Sequence, residues 1–227
     1  MALNPTELAK AIKKLETEIA EGVKVNLGSN WKNNYFTQNA RFLFANVIDT
    51  SQLGFKALGT PDVENLSASG QYYISVDELK IWNSESSNAT DSLHFKLPSP
   101  ITKHVYVKCK MATDYECNIK FTDGTEDNWY RVVIYLPNSS NDFHLQKCVN
   151  GSITTLASEG VDLSARTDYL IEFLWDAENG ILKVWRDGSL IFNVQDTEFN
   201  TFDYINFVYY GAGGYARYRP PIIITWE

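Results

Sequence analysis

The chain has 227 residues, a formal charge of −8 at pH 7 and 14% aromatic side chains. That length suits one all-β domain with a small appendage, and the acidic balance, with Lys and Arg scattered singly, excludes a phosphate-contacting nucleic-acid surface. No apolar run approaches the roughly 20 residues of a membrane helix, so no membrane insertion is expected, and the first residues lack a basic-then-apolar leader pattern, so synthesis in the cytoplasm is expected.

In chain order, Asn4-Pro5-Thr6-Glu7 carries the Pro and acidic residues of a helix start, and Gly22 supplies a stop. Between them Leu8, Ile12, Leu15 and Ile19 recur at spacings of four, three and four. This seam predicts either an amphipathic helix packed on the following domain or a short coiled coil that brings chains together into a homo-oligomer. From Val23 the pattern loosens: Val25 and Leu27 alternate with polar residues, Asn30 to Asn39 interrupts, and Ala40 to Ile48 resumes an apolar run. The segment reads as an arm whose strands join the main domain or a neighbouring subunit. A Gly, Ser and Pro-rich stretch from Leu58 to Gly70 is the candidate linker, dividing a helix and arm at 1–69 from a domain at 70–227.

The predicted strands of that domain are Tyr72–Val76, Leu79–Trp82, Leu93–Leu97, His104–Met111, Glu116–Thr122, Trp129–Leu136, Phe143–Val149 and Ser152–Ala157. A three-stranded meander follows at Tyr169–Trp175, Ile181–Trp185 and Leu190–Asn193, and a closing pair lies at Tyr204–Tyr210 and Ile222–Trp226. The meander turns contain Asn179-Gly180 and Asp187-Gly188, pairs that tolerate the positive φ of tight hairpins. Many short strands with no helices between them predict an all-β, antiparallel two-sheet sandwich or barrel.

The segment from Gly180 to Phe192, with Leu182, Val184, Trp185, Asp187, Gly188 and Ile191 between, resembles the paired strands of laminin-G-like domains and the wider concanavalin A-like lectin and glucanase superfamily. Trp129 to Leu136 resembles the upstream strand, and Tyr204 to Tyr210 with Ile222 to Trp226 the closing pair, so the resemblance covers residues 70–227. It implies a two-sheet jelly roll with a concave face, and for some relatives a rim calcium.

Glucanases of this superfamily carry an ExDxxE pattern that turns its acids to one cleft, and no such pattern occurs here. Asp77-Glu78, the nearest approach, would point to opposite faces of a strand. Glu172 lies mid-strand among Leu170 and Leu174, where a charge needs a partner or a wet cleft. It pairs with Arg131, lines a ligand cleft beside Trp129, or acts as an acid in catalysis. His94, His104 and His144 fall in separate strands without ligand spacing. Asp123, Glu126 and Asp127 crowd one turn, which is either a solvated acidic loop or, through Asp123 and Asp127, a calcium site.

The strongest binding candidate is Tyr209, Tyr210, Tyr215, Arg217, Tyr218 and Arg219, read as a Gly-rich loop whose rings and guanidinium groups suit sugars or a protein surface. Its alternative is a hairpin connection whose tyrosines cover the end of the sandwich. Cys109, Cys117 and Cys148 read as buried thiols, with a Cys109–Cys117 bridge as the other option. The sequons at Asn65, Asn88, Asn138 and Asn150 matter only on exposure to glycosylation. The functional expectation is a non-catalytic module binding a glycan or a protein surface. By analogy it sits on a virion or tail as an attachment protein. A polysaccharide-active enzyme and a purely structural assembly protein are the alternatives.

Overall fold

The computed structural model describes residues 46–49, 58, 60–63, 66–75, 77–136, 142–219 and 221–226. The expected helix with Leu8, Ile12, Leu15 and Ile19 lies outside the described residues, as do Asn65 and Asn138.

Fifteen strands are described: β1 Asn46–Asp49, β2 Gln71–Ile74, β3 Leu79–Asn83, β4 Ala89–Ile101, β5 His104–Thr113, β6 Glu116–Thr122, β7 Trp129–Tyr135 and β8 Asp142–Val149, then β9 Ser152–Gly160, β10 Tyr169–Asp176, β11 Ile181–Arg186, β12 Ser189–Gln195, β13 Phe202–Gly211, β14 Gly214–Tyr218 and β15 Ile222–Trp226. They form two sheets. One has six strands in the order β4-β13-β6-β7-β8-β9. The other has nine, running β12-β11-β10-β5-β14-β3-β2, with β15 beside β5 and β1 beside β15. Every pairing is antiparallel, as the sequence pattern predicts for a sandwich.

Alternation explains the core. On β6 Cys117, Ile119 and Phe121 turn inward, on β7 Tyr130, Val132 and Ile134, and on β10 Ile171, Phe173 and Trp175, all of them buried. Rings from the two sheets meet there: Phe121 stacks on Phe173 at 5.3 Å, and Phe143 of β8 on Phe192 of β12 at 5.5 Å. Each such buried side chain contributes about 1.5–3 kcal/mol of transfer free energy. All three cysteines are buried free thiols; Cys109 and Cys117 lie in this core, where burial pushes their thiols far up and leaves them unreactive.

The turns bear out one hairpin in detail and correct another. Asp187 and Gly188 have φ of 50° and 81°, the two left-handed residues of a type I′ turn joining β11 to β12. At Asn179-Gly180 only the glycine is left-handed, with φ of 63°, because four residues separate β10 from β11. Asn179 is held by Asp176 instead, donating its backbone N–H at 3.0 Å and its side-chain amide at 2.9 Å. The larger correction concerns residues 209–219. They are not a loop but the end of β13, a short turn, and the whole of β14, which the density of Gly and Arg hides from a periodicity reading.

Candidate functional site

Where β3 and β14 run side by side, alternation turns Leu79 and Ile81 inward with Ala216 and Tyr218, and presents Lys80, Trp82, Tyr215 and Arg217 outward. Trp82 is the direct cross-strand neighbour of Tyr215, and Lys80 of Arg217. Lys80, Trp82 and Tyr215 form one wall of an open cleft of about 460 Å³, lined also by Asn83, Ser84, Asp114, Arg166, Gly213 and Gly214.

The cleft is built rigidly from behind. Asn83, 4% exposed, accepts the Gly213 N–H at 3.0 Å and donates to Asp91 at 2.6 Å and to the Gly211 carbonyl at 3.2 Å. Asp91, fully buried, also accepts the Ser67 N–H at 2.6 Å. Gly213 needs its φ of 62°, and Gly214 leaves room for its neighbours: a Cβ there would stand 2.6 Å from the Tyr209 hydroxyl and 3.0 Å from the Asp114 Cβ.

Across the cleft, Arg166 sits at φ 63°, a conformation that costs a non-glycine residue about 1–2 kcal/mol. Its N–H donates to the Thr113 carbonyl at 2.9 Å and its guanidinium pairs with Asp114 at 2.5 Å. Lys80 differs from it. Its ammonium lies 4.3 Å from the centre of the Tyr215 ring and 5.7 Å from that of Trp82, and no carboxylate among the described residues pairs with it.

The predicted binding residues are thereby dispersed. Tyr215 lines the cleft. Arg217 and Arg219 stand on the same sheet face but are not free, because Asp168 accepts from Arg217 at 2.7 Å and lies 3.7 Å from Arg219. Tyr209 and Tyr218 are wholly buried core residues. The Tyr218 hydroxyl, carried by the nine-stranded sheet, accepts the Val208 N–H at 3.1 Å and meets the Val208 and Asn118 carbonyls at 2.5 and 3.0 Å. It thus ties one sheet to the other. The Tyr209 hydroxyl has no hydrogen-bond partner among the described residues, and burial first, then the Asp114 and Asp91 charges, push it up to about 12.

Trp129, Arg131 and Tyr210 belong to the opposite face of the molecule, the outer side of the six-stranded sheet. There His94, Asn206, Lys120, Arg131, Gln146 and Thr155 stand opposite one another in a single row across all six strands. The row is tied together laterally. Arg131 donates to Gln146 at 2.9 Å, Gln146 to Thr155 at 3.1 Å, and Glu116 pairs with Arg131 at 3.5 Å. Glu126 reaches back from the β6–β7 loop to pair with Lys120 and to meet His94 at 3.5 Å. Burial drives the Lys120 ammonium and the Arg131 guanidinium down and the Glu116 carboxyl up, with their ion-pair partners opposing each shift. Trp129, 4% exposed, lies beneath the Lys120 and Arg131 cations. Asn206 is wholly buried, and its amide has no partner among the described residues.

Glu172 is buried, turned to the outer side of the nine-stranded sheet between the inward Ile171 and Phe173. It sits on β10 in the nine-stranded sheet, accepts the Tyr106 hydroxyl and lies opposite Lys108, so the expected pairing with Arg131 is corrected: Arg131 is in the other sheet. In the acidic loop, Asp123 accepts from Thr125 at 2.9 and 2.7 Å and from Asn128 at 3.0 Å, and Glu126 is committed to Lys120. Among the described residues no three His, Cys, Asp or Glu side chains converge as a metal site.

The sequence reading missed Lys80, Trp82, Asn83, Asp114 and Arg166. One signal was available: in Leu79-Lys80-Ile81-Trp82 strict alternation faces the tryptophan outward, the orientation in which a large ring is free for a ligand.

No family model matches the chain, and no curated protein does. Solved structures match by shape. The carbohydrate binding module CBM66 from Bacillus subtilis aligns at TM-score 0.54 and 12% identity, over 69% of this chain and 92% of that one. The metal-free Emp46p carbohydrate recognition domain aligns at 0.59 and 10%, over 79% and 95%. A Bacillus subtilis protein of unknown function with a galectin-like fold aligns at 0.58 and 13%, over 82% and 97%. What the chain shares with these structures is the antiparallel two-sheet β-sandwich. At these identities the likeness is one of fold, and the lectin-type neighbours leave the site to be argued from this chain's own residues.

Proposed function

We propose that this chain is a non-catalytic glycan-recognition module whose sugar lies in the cleft between β3 and β14. The observation that carries the reading is the outward Trp82 beside Tyr215 in an open cleft with charged and amide groups around it. An indole face packs against the C–H face of a pyranose, and fixed polar groups at its edge read the hydroxyls. The rigid Asn83–Asp91 support means that little ordering is required on binding. Among the described residues Asp114 is the one carboxylate lining the cleft, and it is paired with Arg166. Glycoside hydrolysis uses two carboxyl groups about 5–10 Å apart, so the cleft favours binding over cleavage. The carbohydrate-binding modules that share the fold support the same choice. Display on a virion or tail belongs to this proposal as its setting, supported by the likeness to the CBM2 module of the Lactobacillus casei BL23 phage J-1 evolved Dit, at TM-score 0.56 and 9% identity over 79% of this chain and 94% of that one.

A glycan array probed with the full chain, and with a Trp82→Ala/Tyr215→Ala variant, tests the reading. The expected result is a defined set of bound glycans that the variant loses while keeping its β signal and melting temperature. Binding retained by the variant places the ligand elsewhere, and no bound glycan from a folded protein overturns the function.

A further inference from the structure

We infer that the glycan in this cleft is acidic, with its carboxylate held by Lys80; this rests on the glycan-binding reading and names the ligand class for the same site. Lys80 differs from the three arginines near the cleft in what surrounds it. Arg166 is matched by Asp114, and Arg217 and Arg219 share Asp168, with Glu78 4.0 Å from Arg219. Each of these guanidinium groups already has the anion it needs. Lys80 has only ring faces. The π-faces of Tyr215 at 4.3 Å and Trp82 at 5.7 Å attract its charge and fix its position, but they offer no oxygen, and no carboxylate among the described residues pairs with it.

The lining therefore sets two cations, Lys80 and Arg166, against one carboxylate in a chain whose formal charge is −8. A local positive excess on an acidic protein attracts an anion at short range and gains nothing from the rest of the surface. Lys80 is half-buried between its rings, so solvent screens it less than an exposed lysine and an ion pair made there is stronger than one on the open surface. Tyr215 then acts chiefly as the holder of the ammonium and Trp82 as the sugar platform. A neutral sugar would use Lys80 as a hydrogen-bond donor alone. A uronic or sialic acid would add the charge-assisted bond that the site lacks.

The experiment uses matched probes: trigalacturonic acid with its methyl ester, and 3′-sialyllactose with its methyl ester, titrated calorimetrically into the full chain. The inference expects the acid of at least one pair to bind about tenfold tighter than its ester, the worth of one hydrogen bond to a charged group. That gap should shrink with added salt, collapse in Lys80→Gln and persist in Lys80→Arg. Equal binding of acid and ester, or a gap that survives Lys80→Gln, overturns the inference. So does binding of neutral array glycans through Trp82 with neither acid bound. The absence of any bound glycan, neutral or acidic, instead overturns the glycan-binding reading on which it rests.

Discussion

The outer face of the six-stranded sheet and that of the nine-stranded sheet carry similar chemistry and differ in access. The first has a histidine, a lysine, an arginine and two amides in register across six strands, with a tryptophan beside the cations. Its cations are nevertheless matched by Glu116 and Glu126, its tryptophan is covered by two of them, and Asn206 is wholly buried. On the second, Trp82 and Tyr215 open into a cleft, and no carboxylate among the described residues pairs with Lys80. Residue type alone therefore does not mark a recognition surface. What matters is whether the fold leaves the group reachable and its charge unmatched.

The largest effect expected from this contrast is in stability. Arg131→Ala leaves the Glu116 carboxyl shielded and without its cation, a change that costs about 3–5 kcal/mol, read by urea unfolding, while the glycan affinity of the folded fraction stays as it was. A small stability loss with abolished binding would exchange the roles of the two faces.

Two tyrosines near the cleft sharpen the comparison. Tyr218→Phe removes a hydroxyl bonded to the opposite sheet and should lose about 1–2 kcal/mol, whereas Tyr209→Phe removes an unpartnered buried hydroxyl and should lose nothing. Equal losses in thermal unfolding would show that the Tyr209 hydroxyl has a partner, such as a buried water under Gly214.

The smallest effect is a pH slope. Burial raises the Glu116 carboxyl against the opposing pull of Arg131, so the folded state holds its proton to higher pH than the unfolded chain. The stability this contributes is complete below the usual Glu value of about 4.3 and is lost as pH rises through the raised folded value. Glu116→Gln should remove that component from a plot of melting temperature against pH. An unchanged slope would mean the carboxyl titrates normally and that the face is wetter than its burial indicates.

Much of the sandwich was legible because period-2 alternation and turn chemistry are local. The predicted strands at Glu116–Thr122 and Ile222–Trp226 coincide with β6 and β15, and Asp187-Gly188 is the expected turn. β14 was not legible, since Gly-Tyr-Ala-Arg-Tyr has one small and one aromatic inward residue in place of an aliphatic pattern, and it is a strand because β3 and β5 flank it. The site was legible in part. Tyr215 was singled out with Arg217, but the partners that neutralise Arg217, Arg219 and Arg131 come from Asp168 and Glu116. The contacts to Asp168 span some fifty residues of chain, and the one to Glu116 spans neighbouring strands, a relation that follows from folding and not from spacing. Glu172 was wrongly associated with Arg131 and Trp129, because sequence order does not say which sheet a strand joins.

The central claim is that ligand enters the cleft of the nine-stranded sheet and leaves the polar row of the six-stranded sheet untouched. Amide and tryptophan-indole NMR shifts, followed during titration with an array-positive glycan, test it directly. The account predicts saturable shifts at Lys80, Trp82, Ser84, Arg166 and Tyr215, with those of His94, Lys120, Trp129, Arg131 and Gln146 unmoved. Shifts concentrated at the second set would contradict it and make the six-stranded face the binding surface.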